Sequence, residues 1–219
     1  MKEAAVVLLA YLVGSIPMAY VLGRAMRGID IRHYGSGNVG ASNVWTHVAR
    51  WVAIPLGAFD IFFKGAFPVY LAQRLDTGLW VAVAAGLAAV AGHNWSLYLK
   101  LTGGRGITVA MGVLFILSWQ VLAASLLVAT GGLIFRNSAL WVGIAVVLMP
   151  VWSVGFREPL PVTVLCICLV AIVALKRVMG NRGTAVPGLR WRDVLLPRLL
   201  YDRDIASRDE WVRRAPPEA

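Results

Sequence analysis

The sequence predicts an all-α integral membrane protein with seven transmembrane helices, and three observations carry that prediction. Of its 219 residues, 59% are hydrophobic and only 15% are charged, which is far from the balance of a soluble globular domain. The apolar residues gather into seven runs, at 4–22, 52–71, 79–91, 107–117, 121–134, 140–154 and 161–175, separated by charged or glycine- and proline-rich breaks. A helix needs about 20 apolar residues to cross a hydrocarbon core, so Gly, Ser and Trp flanks are expected to complete the shorter runs. The third observation is where the positive charge falls. All of the 21 Lys and Arg except Lys2, Lys64, Arg74 and Arg157 lie in the first, third and fifth loops or in the tail beyond 175. The positive-inside rule then puts those loops and the C-terminus in the cytoplasm and the N-terminus outside. It accounts for the net charge of +10 without a nucleic-acid partner. The chain divides into a seven-helix transmembrane domain, 1–175, with its active-site loops on the cytoplasmic face, and a basic amphipathic cytoplasmic tail, 176–219.

The first run makes a poor cleaved signal, because Lys2 is offset by Glu3 and the apolar stretch continues into GSIPMAYVLGR without a small-x-small site. It is expected to stay as the first span. The loop behind it reads HYGSGNVGASN, residues 33–43. Glycine lets neighbouring amides point into one concavity, and such nests bind anions, phosphate above all. Ser36 and Ser42 add hydroxyls, Asn38 and Asn43 add amides, and Asn43 is placed to cap a helix beginning near Val44. A loop that needs Gly35, Gly37 and Gly40 only for tight turns has the same composition, so this motif alone leaves both readings open. In the second run Asp60 and Lys64 stand four residues apart, where two unpaired charges would be costly in a membrane. They are expected to pair on one helix face.

The third run leads into GHNWSLYLKLTGGRG, residues 92–106. Gly103 and Gly104 precede Arg105, whose fork of N–H donors suits phosphate oxygens. His93 can hydrogen-bond a substrate, move a proton, or simply fix the loop. Two glycine loops and an arginine on one face make phosphate the expected ligand. Arg136, Asn137 and Ser138 add a polar turn on the same face, although Arg136 by itself is an ordinary positive-inside anchor. The seventh run carries Cys166 and Cys168, which a helix points about 200° apart. They read as apolar fillers, not as a disulfide or metal pair. From 188 to 214 the tail alternates Trp191, Val194, Leu195, Leu199, Tyr201 and Trp211 with arginines and aspartates, the pattern of an interfacial segment on anionic lipid. The sequence has no Walker loop, no HExxH and no GxSxG elbow, and neither His47 nor His93 begins an HxxxxD box. The chemistry is therefore expected to use no metal and no cofactor.

Taken together, GSIPMAYVLGR, YGSGNVGASNV, DIFFKG and GHNWSLYLKLTGGRG resemble the bacterial acyl-phosphate-dependent glycerol-3-phosphate acyltransferases. The resemblance implies a seven-helix enzyme of the cell inner membrane with its active site facing the cytoplasm. Such an enzyme passes a fatty acyl group from an acyl phosphate to the 1-hydroxyl of glycerol 3-phosphate, giving lysophosphatidate for phospholipid biosynthesis without coenzyme A. Carried over by position, the catalytic group is Ser36, His93, Arg105 and Ser138. Gly35, Gly37, Asn38, Gly40, Gly103 and Gly104 line the phosphate sites, Asn43 braces the first loop, and His93 organises the second. Three departures from the family pattern stand out. Thr46 occupies the place of a usual arginine, GGRG replaces GGKG, and Ala171 and Ala174 replace the histidine and asparagine of a third motif whose echo is KRVMGN at 176–181. Two other readings use the same loops: a family member that binds lipid precursors without turning them over, and a membrane anion carrier. A carrier usually shows paired repeats with helices broken near the midplane, which surface loops and an odd number of spans do not match.

Overall fold

The computed structural model describes residues 1–180, 190–205 and 207–213, and every regular element among them is a helix. Helix α1 (Lys2–Ser15) and α2 (Met18–Arg27) form one apolar rod interrupted at Ile16 and Pro17, as expected where a proline removes a donor and crowds the preceding turn. A short α3 (Ala41–His47) ends the first loop. The next rod runs through α4 (Arg50–Ala58), a π-helical stretch (Phe59–Ala66) and α5 (Phe67–Arg74). Then come α6 (Leu79–Asn94), α7 (Ile107–Leu117), α8 (Trp119–Ala129) with its short continuation α9 (Gly131–Ile134), α10 (Ser138–Gly155) and α11 (Leu160–Met179). The tail forms α12 (Trp191–Tyr201) and α13 (Arg208–Arg213). Asn181, the end of the third-motif echo, lies outside the described residues.

All seven predicted runs are helical, with altered ends. Hydropathy stops at the first charge, whereas the helices continue through it, to Arg27 in the first rod and from Arg50 in the second. Four rods, Lys2–Arg27, Arg50–Arg74, Ser138–Gly155 and Leu160–Met179, are long and apolar enough to cross a membrane. Leu79–Asn94, Ile107–Leu117 and Trp119–Ile134 are apolar but shorter. Between α7 and α8 the break is Ser118 alone, whose hydroxyl accepts from the Val121 amide at 3.3 Å.

Small residues set the crossings. A Cβ added at Gly14 would sit 2.1 Å from the Ala89 carbonyl oxygen, and one at Gly92 would sit 2.2 Å from that of Tyr11, so α1 and α6 touch backbone to backbone. Close approach of this kind is what holds helices together where lipid supplies no hydrophobic drive. Ser96 Oγ to Ser15 O (2.5 Å) and Tyr11 Oη to Trp95 O (2.9 Å) tie the ends of the same pair. Gly112 of α7 lies equally close to Ile61 O in the π-helical stretch. The central core is built from Val90, Val113, Leu114, Leu165 and Leu169, and a second core of Ile31, Val44, Val48 and Leu56 lies under the first loop. Large apolar side chains such as Ile54, Phe62, Leu127, Val151 and Leu160 face outward, a surface that suits lipid. Cys166 is buried, Cys168 is half-buried and both are free thiols.

The tail, expected to lie on lipid, packs on the bundle. Helix α12 packs on α10 and α11, and α13 packs on α3. Val194 and Trp211 are buried while Trp191, Leu195 and Leu196 stay exposed. One side of the segment packs on the loop end of the bundle and the other is exposed.

Candidate active site

The first loop is built around Asp30 and Asn43. Asp30 accepts the Arg32 amide (3.1 Å) and both Nε (2.9 Å) and Nη2 (2.6 Å) of the Arg32 guanidinium. That hydrogen-bonded guanidinium holds the Asp30 carboxyl below its ordinary range. Gly35 and Gly37 then turn the chain with φ of 53° and 64°, in the left-handed region. Asn43 Nδ2 donates to Ile31 O (3.1 Å) and Tyr34 O (2.9 Å), bracing the loop as expected. The expected cap is not made: α3 begins at Ala41 with Gly40 as its N-cap, so Asn43 is already within the first turn. Ser36 Oγ accepts the Asn38 amide at 3.3 Å, which steadies the tip of the loop.

Asp60 and Lys64 pair as the spacing predicted, at 2.9 Å and almost fully buried. Their partners were not legible from spacing. Lys64 Nζ lies 3.3 Å from His93 Nδ1, and Thr108 Oγ1 lies 3.4 Å from Asp60 Oδ2, so one network joins the second rod, α6 and α7. On the other edge of His93, a Cβ at Gly104 would meet Nε2 at 1.9 Å, and one at Gly103 would meet the His93 carbonyl oxygen at 2.2 Å. The Gly104 amide donates to that same carbonyl at 2.9 Å. The double glycine lets the second loop fold over His93. Close packing on His93 is thus one physical reason for both glycines.

Arg105 is 7% exposed and fully engaged. Its Nε donates to Asp202 Oδ2 (3.0 Å), Nη2 meets Asp202 Oδ1 (2.8 Å), and Nη1 donates to Lys176 O (3.1 Å). Nearby, Arg177 donates through Nη2 to Ala139 O (2.7 Å) and through Nη1 to Leu199 O (2.9 Å).

Two polar cavities lie between these loops. One, of about 330 Å³, is lined by Ser36, Asn38, Ser42, Asn43, Thr46, Ser138, Arg203 and Trp211 among others. The second, of about 290 Å³, is lined by Asn38, Gly40, Ser42, His93, Arg105, Thr108, Ser138 and Arg177. Asn38, Ser42, Ser138 and Asp202 belong to both walls. The second cavity shares Ile107 and Val142 with an apolar cavity of about 230 Å³ between α7, α8, α10 and α11. The structure thus brings together Ser36, Asn38, Gly40, Asn43, His93, Arg105 and Ser138, while Gly35, Gly37, Gly103 and Gly104 shape the loops from behind. Sequence reasoning missed Arg177, Asp202 and Arg203. The first is read from sequence as a positive-inside anchor, and Asp202 reaches Arg105 across 97 residues of chain with no local pattern to mark it.

Long apolar helices, with a hydroxyl-, amide- and arginine-lined site beside an apolar cavity, are the features of an integral membrane protein. The sequence model of glycerol-3-phosphate acyltransferase matches residues 4–182, and the chain belongs to that family. It is 37% identical to glycerol-3-phosphate acyltransferase 5 of Dehalococcoides mccartyi over 216 residues, 95% of this chain and 92% of that one. The glycerol-3-phosphate acyltransferase of Myxococcus xanthus is 50% identical over 129 residues, 57% of this chain and 65% of the relative. Among solved structures, the glycerol 3-phosphate form of PlsY (YgiH), an integral membrane glycerol 3-phosphate acyltransferase, superposes with a TM-score of 0.75 at 30% identity, covering 81% of this chain and 88% of that one. The lysophosphatidic acid form of PlsY superposes with a TM-score of 0.73 at 29% identity and the same coverage.

Proposed function

We propose that this chain transfers a fatty acyl group from an acyl phosphate to the 1-hydroxyl of glycerol 3-phosphate, releasing lysophosphatidate for phospholipid synthesis. Family membership supports the reaction, and the observation that carries it is the pair of neighbouring cavities that share Asn38, Ser42 and Ser138, beside an apolar one that shares Ile107 and Val142 with the second. The acyl chain lies in the apolar cavity between α7 and α10, and its phosphate lies beside Arg105 and Arg177. Glycerol 3-phosphate occupies the neighbouring cavity around Ser36. Asn38, Ser42 and Ser138, common to both walls, stand where the two substrates meet.

The hydroxyl oxygen adds to the acyl carbonyl carbon, the bond from that carbon to the phosphate oxygen breaks, and the phosphate leaves with the electron pair and takes up the hydroxyl proton. The leaving group is good, so the protein acts by holding the hydroxyl against the carbonyl and by placing fixed donors where negative charge develops. His93 acts through position. Its Nδ1 faces Lys64 and its Nε2 packs on Gly104, so it holds the second loop and Arg105 in register. In this reading seven helices cross the cell inner membrane, the N-terminus is outside, and the site and tail face the cytoplasm, where both phosphorylated substrates are met.

The test is lysophosphatidate formation by the purified full chain, given glycerol 3-phosphate with palmitoyl phosphate or, separately, palmitoyl coenzyme A. Product from the acyl phosphate alone is expected. A folded protein that binds glycerol 3-phosphate yet yields no product from either donor would instead be a non-catalytic member of the family.

A further inference from the structure

The cavity around Ser36 takes hydroxyls and amides from the first loop and from the start of α10, but the cation on its wall comes from the C-terminal segment. Helix α12 ends at Tyr201 and is capped by Asp202, which adopts a left-handed turn with φ 53° and ψ 40°. That turn places two consecutive charged residues on the site. Asp202 grips Arg105, and Arg203 lines the neighbouring cavity. The Arg203 guanidinium carbon stands 5.0 Å from the centre of the Tyr201 ring, and its Nε is buried with no hydrogen-bond partner among the described residues.

A buried donor on a charged group is costly to leave unpaired, and because Arg203 lines the cavity, an anion there would lie beside its guanidinium. On the same wall system, Asn38 Oδ1 is also buried without a partner and is suited to accept from a hydroxyl. With Arg203 and Asn38 on one wall, the cavity suits a ligand that carries an anionic end and a hydroxyl. Arg105 is the less available cation, because Nε and both terminal nitrogens already have protein partners.

We infer that Arg203 binds the phosphate of glycerol 3-phosphate, which makes the C-terminal segment a wall of the substrate site. The inference rests on the acyltransferase reading for the identity of the substrate and assigns the two phosphates to different cations. The acyl phosphate is met at Arg105 and Arg177, the glycerol phosphate at Arg203. Thr46 lines the same cavity as Arg203, so the first loop offers a hydroxyl at a point where a cation would also reach this ligand.

The experiment uses the full chain and reads glycerol 3-phosphate binding by calorimetry together with KM for each substrate. Arg203→Gln is expected to weaken glycerol 3-phosphate binding and raise its KM by about tenfold or more, the scale of one charged hydrogen bond. KM for the acyl phosphate should stay within about twofold, a split that a general loosening of the tail would not produce. Arg203→Lys should recover part of the loss, and adding Thr46→Arg to Arg203→Gln should recover more. Unchanged glycerol 3-phosphate binding in Arg203→Gln, or an equal loss for both substrates, overturns the inference. Should that variant not fold, Thr46→Glu sets a negative charge in the same cavity and leaves Arg203 in place, and normal binding there overturns it as well. A wild-type protein that binds glycerol 3-phosphate in an Arg203-dependent way without turnover would uphold the site while removing the acyltransferase reading.

Discussion

Gly104 has no room for a side chain, since a single methyl would fall inside the His93 ring at 1.9 Å from Nε2. Gly104→Ala must therefore move His93 away from Lys64 or lift the second loop from α6. The expected result is a loss of acyl transfer of about tenfold or more with a lower melting temperature in detergent, and a variant with normal rate and stability would show that the ring gives way freely. Asp30 supports a second prediction. Its folded pKa lies below its ordinary value of 3.8 because Arg32 hydrogen-bonds the ionised form. Stability from this contact is fully present above the ordinary value and is lost as pH falls below it through the lowered one. The gap in melting temperature between wild type and Asp30→Asn should be constant near neutrality and close only below about pH 3.8; a gap that closes near pH 6 would point to another group. At this scale the sequence shows which residues share the loops better than it shows what each one touches. Ser36, Asn38, Arg105 and Ser138, singled out by residue type and motif, come together on cavity walls, whereas the packing of Gly103 and Gly104 against His93 had no sequence signal of its own. A glycine needed for an anion nest and one needed for close packing look alike in a sequence.

Helices were the most legible elements, because apolar length is all that a lipid-facing rod requires. Their ends were less so, since charges such as Arg27 and Arg50 sit inside helical turns at the ends of the rods. The crossings were hidden. Nothing in LWVAVAAGLAAVAGHN says which alanines and glycines meet α1, yet Gly92 sits against the Tyr11 carbonyl. Gly92→Val should force α1 and α6 apart and cost about 1–3 kcal/mol, read as earlier detergent unfolding, whereas Gly57→Val, with nothing near its missing Cβ, should be tolerated by comparison. The π-helical stretch was equally invisible. It carries the Asp60 and Lys64 pair and presses Ile61 O onto Gly112, in keeping with the tendency of such widened turns to mark working parts of helices.

For the whole molecule, the first half of the site could be read from the chain and the second half could not. The loops announce themselves by glycine, serine and asparagine, while the tail looks like a membrane anchor because its aromatic and basic residues suit either role. What decides is three-dimensional. Arg177 ties α11 to α10 and α12 at once, and Asp202 reaches Arg105. Deleting residues 190–219 should leave a helical bundle that still partitions into membranes but forms no lysophosphatidate. Activity close to that of the full chain in this truncation would return the tail to the status of an anchor.

The pairing of Arg105 with Asp202 also sets a clock. Synthesis runs from the N-terminus, so the second loop is made long before its carboxylate partner, and Arg105 waits beside the unfinished bundle until α12 has been made and folded back. A nascent chain halted after α11 would already sit in the membrane yet lack the groups that close the site. A chain cut short before Asp202 would therefore lack the carboxylate that holds Arg105.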